Sequence, residues 1–376
     1  MSGRLAVIFV GGGTGGHLFP SLAVAEALAE QTGQRVDPLY LCSPREGAAR
    51  IHTPEGARYE PIPARPLRGS PIGALRFARS YRPAVRAAHD AMRAHTGGDT
   101  TVVVSTGGFV SVPCVRAASM LRLPAVLLNL DAVPGLANRL LARRAGVVLS
   151  VFDTPHQWRR IEPIVRRRAL APASPEACRS DLGLDADRPT LLVTGGSQGA
   201  STITTLVAAL LEQHPGAFAG WQAIHQCADS DAPRVRKAYE RAGVRARIEP
   251  FIEDVGRAWG AASLAIGRAG AGTAAEARAN AVPGVFLPYP WHKDEHQRHN
   301  AAPLERAGGA LILTDHREEP ANTTAHGATL LALLQDHEQL ARMRSALALM
   351  PACDGAQAVA RVLMDQIKPA GRRAGP

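Results

Sequence analysis

A strand-length apolar run, Leu5-Ala6-Val7-Ile8-Phe9-Val10, leads directly into Gly11-Gly12-Gly13-Thr14-Gly15-Gly16-His17-Leu18-Phe19-Pro20. An alanine-rich stretch with apolar residues at helical spacing, Ser21 to Glu30, follows. Five glycines between a buried strand and a helix leave few folds open. Glycine allows a sharp turn and lets a ligand come close to the backbone N–H groups. The helix N-terminus behind it offers unpaired donors and partial positive charge, which suits a phosphate. His17 stands in this loop, and an imidazole that titrates near neutral pH can act as a general base. Its bland alternative is a loop histidine that only caps the helix.

The spacing Gly11-x-Gly13-x-x-Gly16 matches the dinucleotide fingerprint in form. That fingerprint also needs an acidic residue at the end of the second strand. Here the strand, about Val36 to Cys42, is followed by Ser43-Pro44-Arg45, which argues against a nicotinamide site.

The pattern recurs along the chain. Thr101 to Thr106 is a second buried strand, and it ends in Gly107-Gly108-Phe109-Val110-Ser111. Pro124 to Leu128 and Gly146 to Val151 are further strands. Residues 152–188, with prolines at 155, 163, 172 and 175 and the run Arg166-Arg167-Arg168, have the composition of a linker. Thr190 to Thr194 then opens a second half, with Gly195-Gly196-Ser197-Gln198-Gly199-Ala200 turning into a helix at Ser201. Ala262 to Ile266 ends in Gly267-Arg268-Ala269-Gly270-Ala271, a third glycine-rich helix start, with Glu276 one turn inside. An acid so placed can accept from ribose hydroxyls, or it can simply offset the helix dipole. Strands alternating with helices predict an α/β chain of two Rossmann-like domains, each a doubly wound parallel sheet, facing each other across a cleft. The expected boundaries are 1–165, with a returning C-terminal helix at about 353–370, and 166–352.

The length, 376 residues, suffices for two cores, and the apolar runs are too short to span a membrane. The chain enters a strand almost at once, which leaves no room for a signal peptide. Five scattered cysteines fit reduced thiols and supply no zinc spacing. The net charge of +10 favours phosphate-bearing partners. No nucleic-acid motif accompanies it, so anionic lipid or a phosphorylated substrate is expected and nucleic acid is not. Arg76, Arg79, Arg82 and Arg86 recur at near-helical spacing beside Ile72, Leu75, Ala78 and Tyr81. That helix either lies on an anionic membrane or turns its apolar stripe to the core. His292, His296 and His299 share a helical face, a spacing open to a metal, but no motif supplies a matching ligand elsewhere. Asp185-Ala186-Asp187 and Asp229-Ser230-Asp231 read as turns.

Taken in order, Gly12 to His17 with Pro20, Gly107 to Ser111, Gly135-Leu136-x-Asn138, Gly195 to Ala200, Phe251-Ile252-x-Asp254, Arg268-x-Gly270-Ala271-x-Thr273-x-x-Glu276 and Pro288 through His292-Lys293-Asp294 to Asn300-Ala301 resemble the MurG family of GT-B glycosyltransferases. The resemblance spans about residues 4–315. It implies an inverting transfer of N-acetylglucosamine from UDP-N-acetylglucosamine to an undecaprenyl-diphospho-muramoyl pentapeptide, a step of peptidoglycan synthesis, at the cytoplasmic face of the plasma membrane. No cofactor and no metal is implied. His17 would be the base. The donor set would be Thr14, Gly15, Gly16, Asp131, Arg166, Ser197, Gln198, Ile252, Ala271, Gly272, Thr273, Ala274, Ala275, Glu276, His296 and Gln297. Gly107, Gly108 and Asn138 would lie on the acceptor side. Asn129-Leu130-Asp131 stands where the family usually carries Glu-Gln-Asn, and Trp291 looks inserted. Two alternatives stay open: a UDP-sugar transferase with another lipid acceptor, and an inactive membrane-associated scaffold.

Overall fold

A computed structural model describes residues 5–12, 15–44, 58–67, 70–96, 101–195 and 200–367. Thr14, Ser197 and Gln198 lie outside the described residues. The chain forms two compact units, Met1–Arg166 with Asp354–Pro376, and Arg167–Cys353.

In the first unit, β1 (Leu5–Val10), α1 (Gly15–Thr32), β2 (Val36–Cys42), β3 (Arg58–Pro61), α2 (Pro71–His95), β4 (Thr101–Ser105), α3 (Ser111–Met120), β5 (Ala125–Asn129), α4 (Leu136–Leu141), β6 (Val147–Ser150) and β7 (Arg159–Arg160) follow in order. The strands form one parallel sheet in the order β3-β2-β1-β4-β5-β6-β7. Residues of β1 and β4 are buried on both faces, as a parallel sheet covered by helices on each side requires.

The second unit contains α5 (Pro175–Asp181), β8 (Thr190–Thr194), α6 (Ser201–Gln213), β9 (Gln222–Gln226), α7 (Ala232–Arg241), β10 (Ala246–Glu249), α8 (Val255–Ala261), β11 (Leu264–Gly267), α9 (Ala271–Ala279), β12 (Gly284–Phe286), α10 (His296–Arg306), β13 (Ala310–Ile312), α11 (Glu319–Gln335) and α12 (His337–Ala348). Its sheet order is β10-β9-β8-β11-β12-β13, again parallel. Both sheets start in the middle and reverse direction beside their first strand, between β1 and β4 and between β8 and β11. Such switch points open a crevice at the carboxyl ends of the strands.

The last helix, α13 (Gly355–Ile367), belongs to the first unit. It packs on α1, where Gln31 Nε2 donates to the Gln357 carbonyl at 3.1 Å. Ile164 bridges Asp354 at its entry, and a Cβ on Gly355 would sit 2.0 Å from the Glu162 carbonyl oxygen. Only glycine lets the returning chain approach so closely.

Two readings of the sequence are corrected or decided here. The segment read as a linker through residue 188 is mostly part of the second unit. Pro175 follows the N-cap Ser174 as the first residue of α5, a position where proline is pre-organised for a helix. Arg179 is buried there, donating to the Ala261 and Ala186 carbonyls and to Ser263 Oγ. In α2 the buried face is Gly73, Ala84, Ala88, Met92 and His95. Ile72, Leu75 and Ala78 are exposed, as are Arg76, Arg79, Arg82 and Arg86, and Tyr81 is half-buried. The apolar stripe of the first three turns therefore does not face the core. No helix among the described residues is long and apolar enough to cross a membrane.

Candidate active site

At the switch point of the first unit, the loops after β1 and β4 meet over the first turn of α1. His17 Nδ1 lies 3.1 Å from the Thr106 carbonyl oxygen. A carbonyl only accepts, so Nδ1 carries the proton and Nε2 presents a lone pair. That nitrogen lies between two glycines: a Cβ on Gly12 would be 3.1 Å from it and one on Gly108 3.4 Å. Gly107 and Gly108 turn with φ of 92° and 80°, the left-handed region that side chains avoid. A Cβ on Gly107 would also fall 2.1 Å from Asn138 Oδ1. The glycines are thus required for space around an imidazole and an amide.

Burial pulls the His17 pKa below its ordinary 6.5, with the Asp131 charge and the Thr106 carbonyl opposing in part. The imidazole is neutral at neutral pH and able to take a proton. The same electrostatics place Asp131, on the loop after β5, within reach of this imidazole. Asn129 orders the loop: its Nδ2 donates to the Asp131 carbonyl at 2.8 Å and to Ser150 Oγ at 3.1 Å. Asn138 Nδ2 donates in turn to Asn129 Oδ1 at 3.0 Å. Asn138 therefore holds the wall of the site through its amide. Gly15 is buried and Gly16 exposed at the start of α1. Arg166, where the chain first leaves this unit, lies 3.5 Å from Glu26 Oε1 with its guanidinium 5.3 Å from the Phe19 ring centroid.

In the second unit, α9 starts at Ala271 after the N-cap Gly270. The N–H groups of Ala271, Gly272 and Thr273 have no partner within the helix, as in any first turn. Ala274 N already donates to the Gly270 carbonyl, and the Ala274 and Ala275 side chains are buried. Within the expected donor stretch, those two alanines turn their methyl groups to the core, and the first-turn N–H groups precede them. Glu276 is half-buried, and its Oε2 accepts from the Trp259 indole at 2.9 Å. Ile252 is half-buried on the loop before α8 and packs on the core beneath. Gln297 Oε1 accepts from Tyr289 N at 2.8 Å, which ties the β12–α10 loop, and His296 Nδ1 pairs with Asp294 Oδ1 at 2.9 Å. His292 and His296 rings lie 4.4 Å apart between centroids. Among the described residues, no group of three His, Cys, Asp or Glu side chains is placed to hold a metal.

The sequence reading missed Thr106, whose side it could not choose because the contribution is a backbone carbonyl. It missed Trp259, because an indole 17 residues before Glu276, on another helix, gives no periodic signal. It also missed Asp315, a fully buried carboxylate on the loop after β13.

The description "Glycosyltransferase family 28 N-terminal domain" matches residues 7–150, and "Glycosyltransferase family 28 C-terminal domain" matches residues 190–359. A Chlorobaculum tepidum protein named UDP-N-acetylglucosamine--N-acetylmuramyl-(pentapeptide) pyrophosphoryl-undecaprenol N-acetylglucosamine transferase is 35% identical over 91% of this chain and 94% of its own. A Nocardioides protein of the same name is 36% identical over 96% of this chain and 98% of its own. The chain belongs to the MurG branch of glycosyltransferase family 28. The crystal structure of Acinetobacter baumannii MurG aligns with a TM-score of 0.71 at 27% identity, covering 96% of this chain and 99% of that one. The α/β architecture of two parallel-sheet units, expected from the repeated strand–glycine–helix pattern, is that of the family.

Proposed function

We propose that this chain transfers N-acetylglucosamine from UDP-N-acetylglucosamine to undecaprenyl-diphospho-muramoyl pentapeptide, with inversion at the anomeric carbon. The observation that carries the reading is the neutral His17 with Nε2 flanked by Gly12 and Gly108. His17 takes the proton of the acceptor hydroxyl as its oxygen bonds to the anomeric carbon, and the bond from that carbon to UDP breaks. A single displacement needs no covalent nucleophile. The departing diphosphate gains negative charge, which the N–H groups at the start of α9 are suited to stabilise. Glu276 accepts from the ribose hydroxyls and Ile252 lies against the uracil. His296 and Gln297 serve the sugar, with Gly107, Gly108 and Asn138 shaping the acceptor side.

The first unit meets the acceptor at an anionic membrane on the cytoplasmic side. Support comes from Leu67, Ile72 and Leu75, each more than half exposed, beside four exposed arginines of α2. Apolar side chains and clustered arginines on one helix suit the headgroup layer.

The test is UDP release from UDP-N-acetylglucosamine with a soluble analogue of the lipid-linked muramoyl pentapeptide. Turnover with that acceptor is expected. Turnover only with other polyprenyl acceptors overturns the acceptor assignment, and failure to bind UDP by calorimetry overturns the donor assignment.

A further inference from the structure

The guanidinium of Arg268 occupies the carboxyl edge of the second sheet. Nη1 donates to the Leu287 carbonyl at 2.8 Å, the Pro288 carbonyl at 3.3 Å and Asp315 Oδ2 at 2.6 Å. Nη2 donates to Thr202 Oγ1 at 2.8 Å, and Thr202 donates to the same Asp315 oxygen at 2.6 Å. The other Asp315 oxygen accepts from Asn322 Nδ2 at 3.0 Å and from Arg317 N at 2.7 Å. One side chain thus joins the segments that follow four strands. Thr202 is in the first turn of α6, after β8. Arg268 follows β11, Leu287 and Pro288 follow β12, and Asp315 follows β13.

Side-chain exposure is 10% for Arg268 and 0% for Asp315. Burial would raise the Asp315 pKa, but the hydrogen bonds from Thr202, Asn322, Arg268 and Arg317 outweigh it and hold the carboxyl below its usual range. An ion pair this dry gains little net stability, because desolvation offsets the attraction. Its distinctive property is geometry, since a planar fork with fixed donor directions allows one arrangement of the groups it binds. The groups it binds lie in the first turn of α6, which follows the expected donor residues Ser197 and Gln198 in sequence, and in the β12–α10 loop, which leads to His296 and Gln297. Glu276, expected on the ribose side, is held separately by Trp259.

We propose that Arg268, through Thr202 and Asp315, is a positioning residue for the diphosphate and sugar of the donor and not for its uridine. The inference rests on the donor assignment of this unit given above. The α6 turn and the β12–α10 loop stay in register because both bond to one guanidinium. Lysine keeps the charge at this position but cannot reach Thr202, Asp315 and two carbonyls at once.

The experiment is calorimetry of uridine, UDP and UDP-N-acetylglucosamine with the wild-type chain, Arg268→Lys and Thr202→Val, alongside thermal melting and steady-state kinetics. Thr202→Val removes only the bridging hydroxyl at a half-buried position, so it carries the test if the arginine variant does not fold. For both variants uridine affinity is expected to stay within about twofold while UDP affinity falls about tenfold, the scale of one lost charge-assisted bond. Donor KM rises by a similar factor and acceptor KM is unchanged. A lower melting temperature with the UDP-to-uridine affinity ratio intact would mean a purely structural role and overturns the inference. A wild-type chain that binds UDP no better than uridine overturns the donor assignment, and this inference with it.

Discussion

The two sheets share a strand order, yet their carboxyl edges are built in opposite ways. At the edge of the first, side chains are removed: Gly11, Gly12 and Gly108 clear a space around one imidazole, and Gly107 around the Asn138 amide. At the edge of the second, side chains are crowded in, and a buried arginine and aspartate tie four loop segments together. On the proposed assignment of base to the first edge and donor to the second, the contrast follows from what each edge would have to do. A proton acceptor needs room beside its lone pair and a low dielectric that keeps it neutral. A site for a long, flexible sugar diphosphate needs several donors fixed at once, so its loops are bound to each other before the ligand arrives.

The sharpest way to break this contrast is His17→Ala. Turnover is expected to fall about a thousandfold, the range of a lost general base. UDP affinity stays within about twofold, because the donor groups of the second unit are untouched. A parallel loss of UDP binding, measured by calorimetry, would erase the division of labour. Gly107→Ala probes the open edge itself. The new Cβ meets Asn138 Oδ1 at a backbone φ of 92°, so a loss of about 3 kcal/mol in denaturant unfolding of the first unit is expected. A further effect is on acid stability. Burial lowers the His225 pKa from 6.5 to about 3, where the ring lies between Tyr239 and Thr204. Below pH 6.5 the unfolded chain takes up a proton that the folded second unit refuses. Stability from this group is therefore full above pH 6.5 and declines as pH falls towards about 3, which melting scans over that range would register.

The sequence makes the switch points legible because strand, glycine turn and helix are local signals. Each loop could be placed at the carboxyl edge without knowing its neighbours. The fate of the α2 stripe was not legible, since helical spacing says which residues share a face but not what covers it. Ala84, Ala88 and Met92 turn inward, while Ile72 and Leu75 lie beyond the reach of the core. Arg268 was visible only as a motif residue. Its partner Asp315 lies 47 residues later in a short loop after an edge strand, and nothing periodic joins the two. Residues 172–181, within the linker-like stretch 152–188, are ambiguous in sequence because prolines mark both linkers and helix starts; Ser174 capping Ala177 N decides between them in the structure.

The most direct measurement is the pH dependence of kcat/KM for wild type and His17→Ala with the soluble acceptor analogue. With a buried neutral imidazole as base, the wild-type rate holds at neutral pH and falls on an acid limb centred below 6.5, the ordinary histidine value. That limb vanishes from the residual activity of the variant. An acid limb of the same position in both proteins would contradict the assignment of His17 as the proton acceptor.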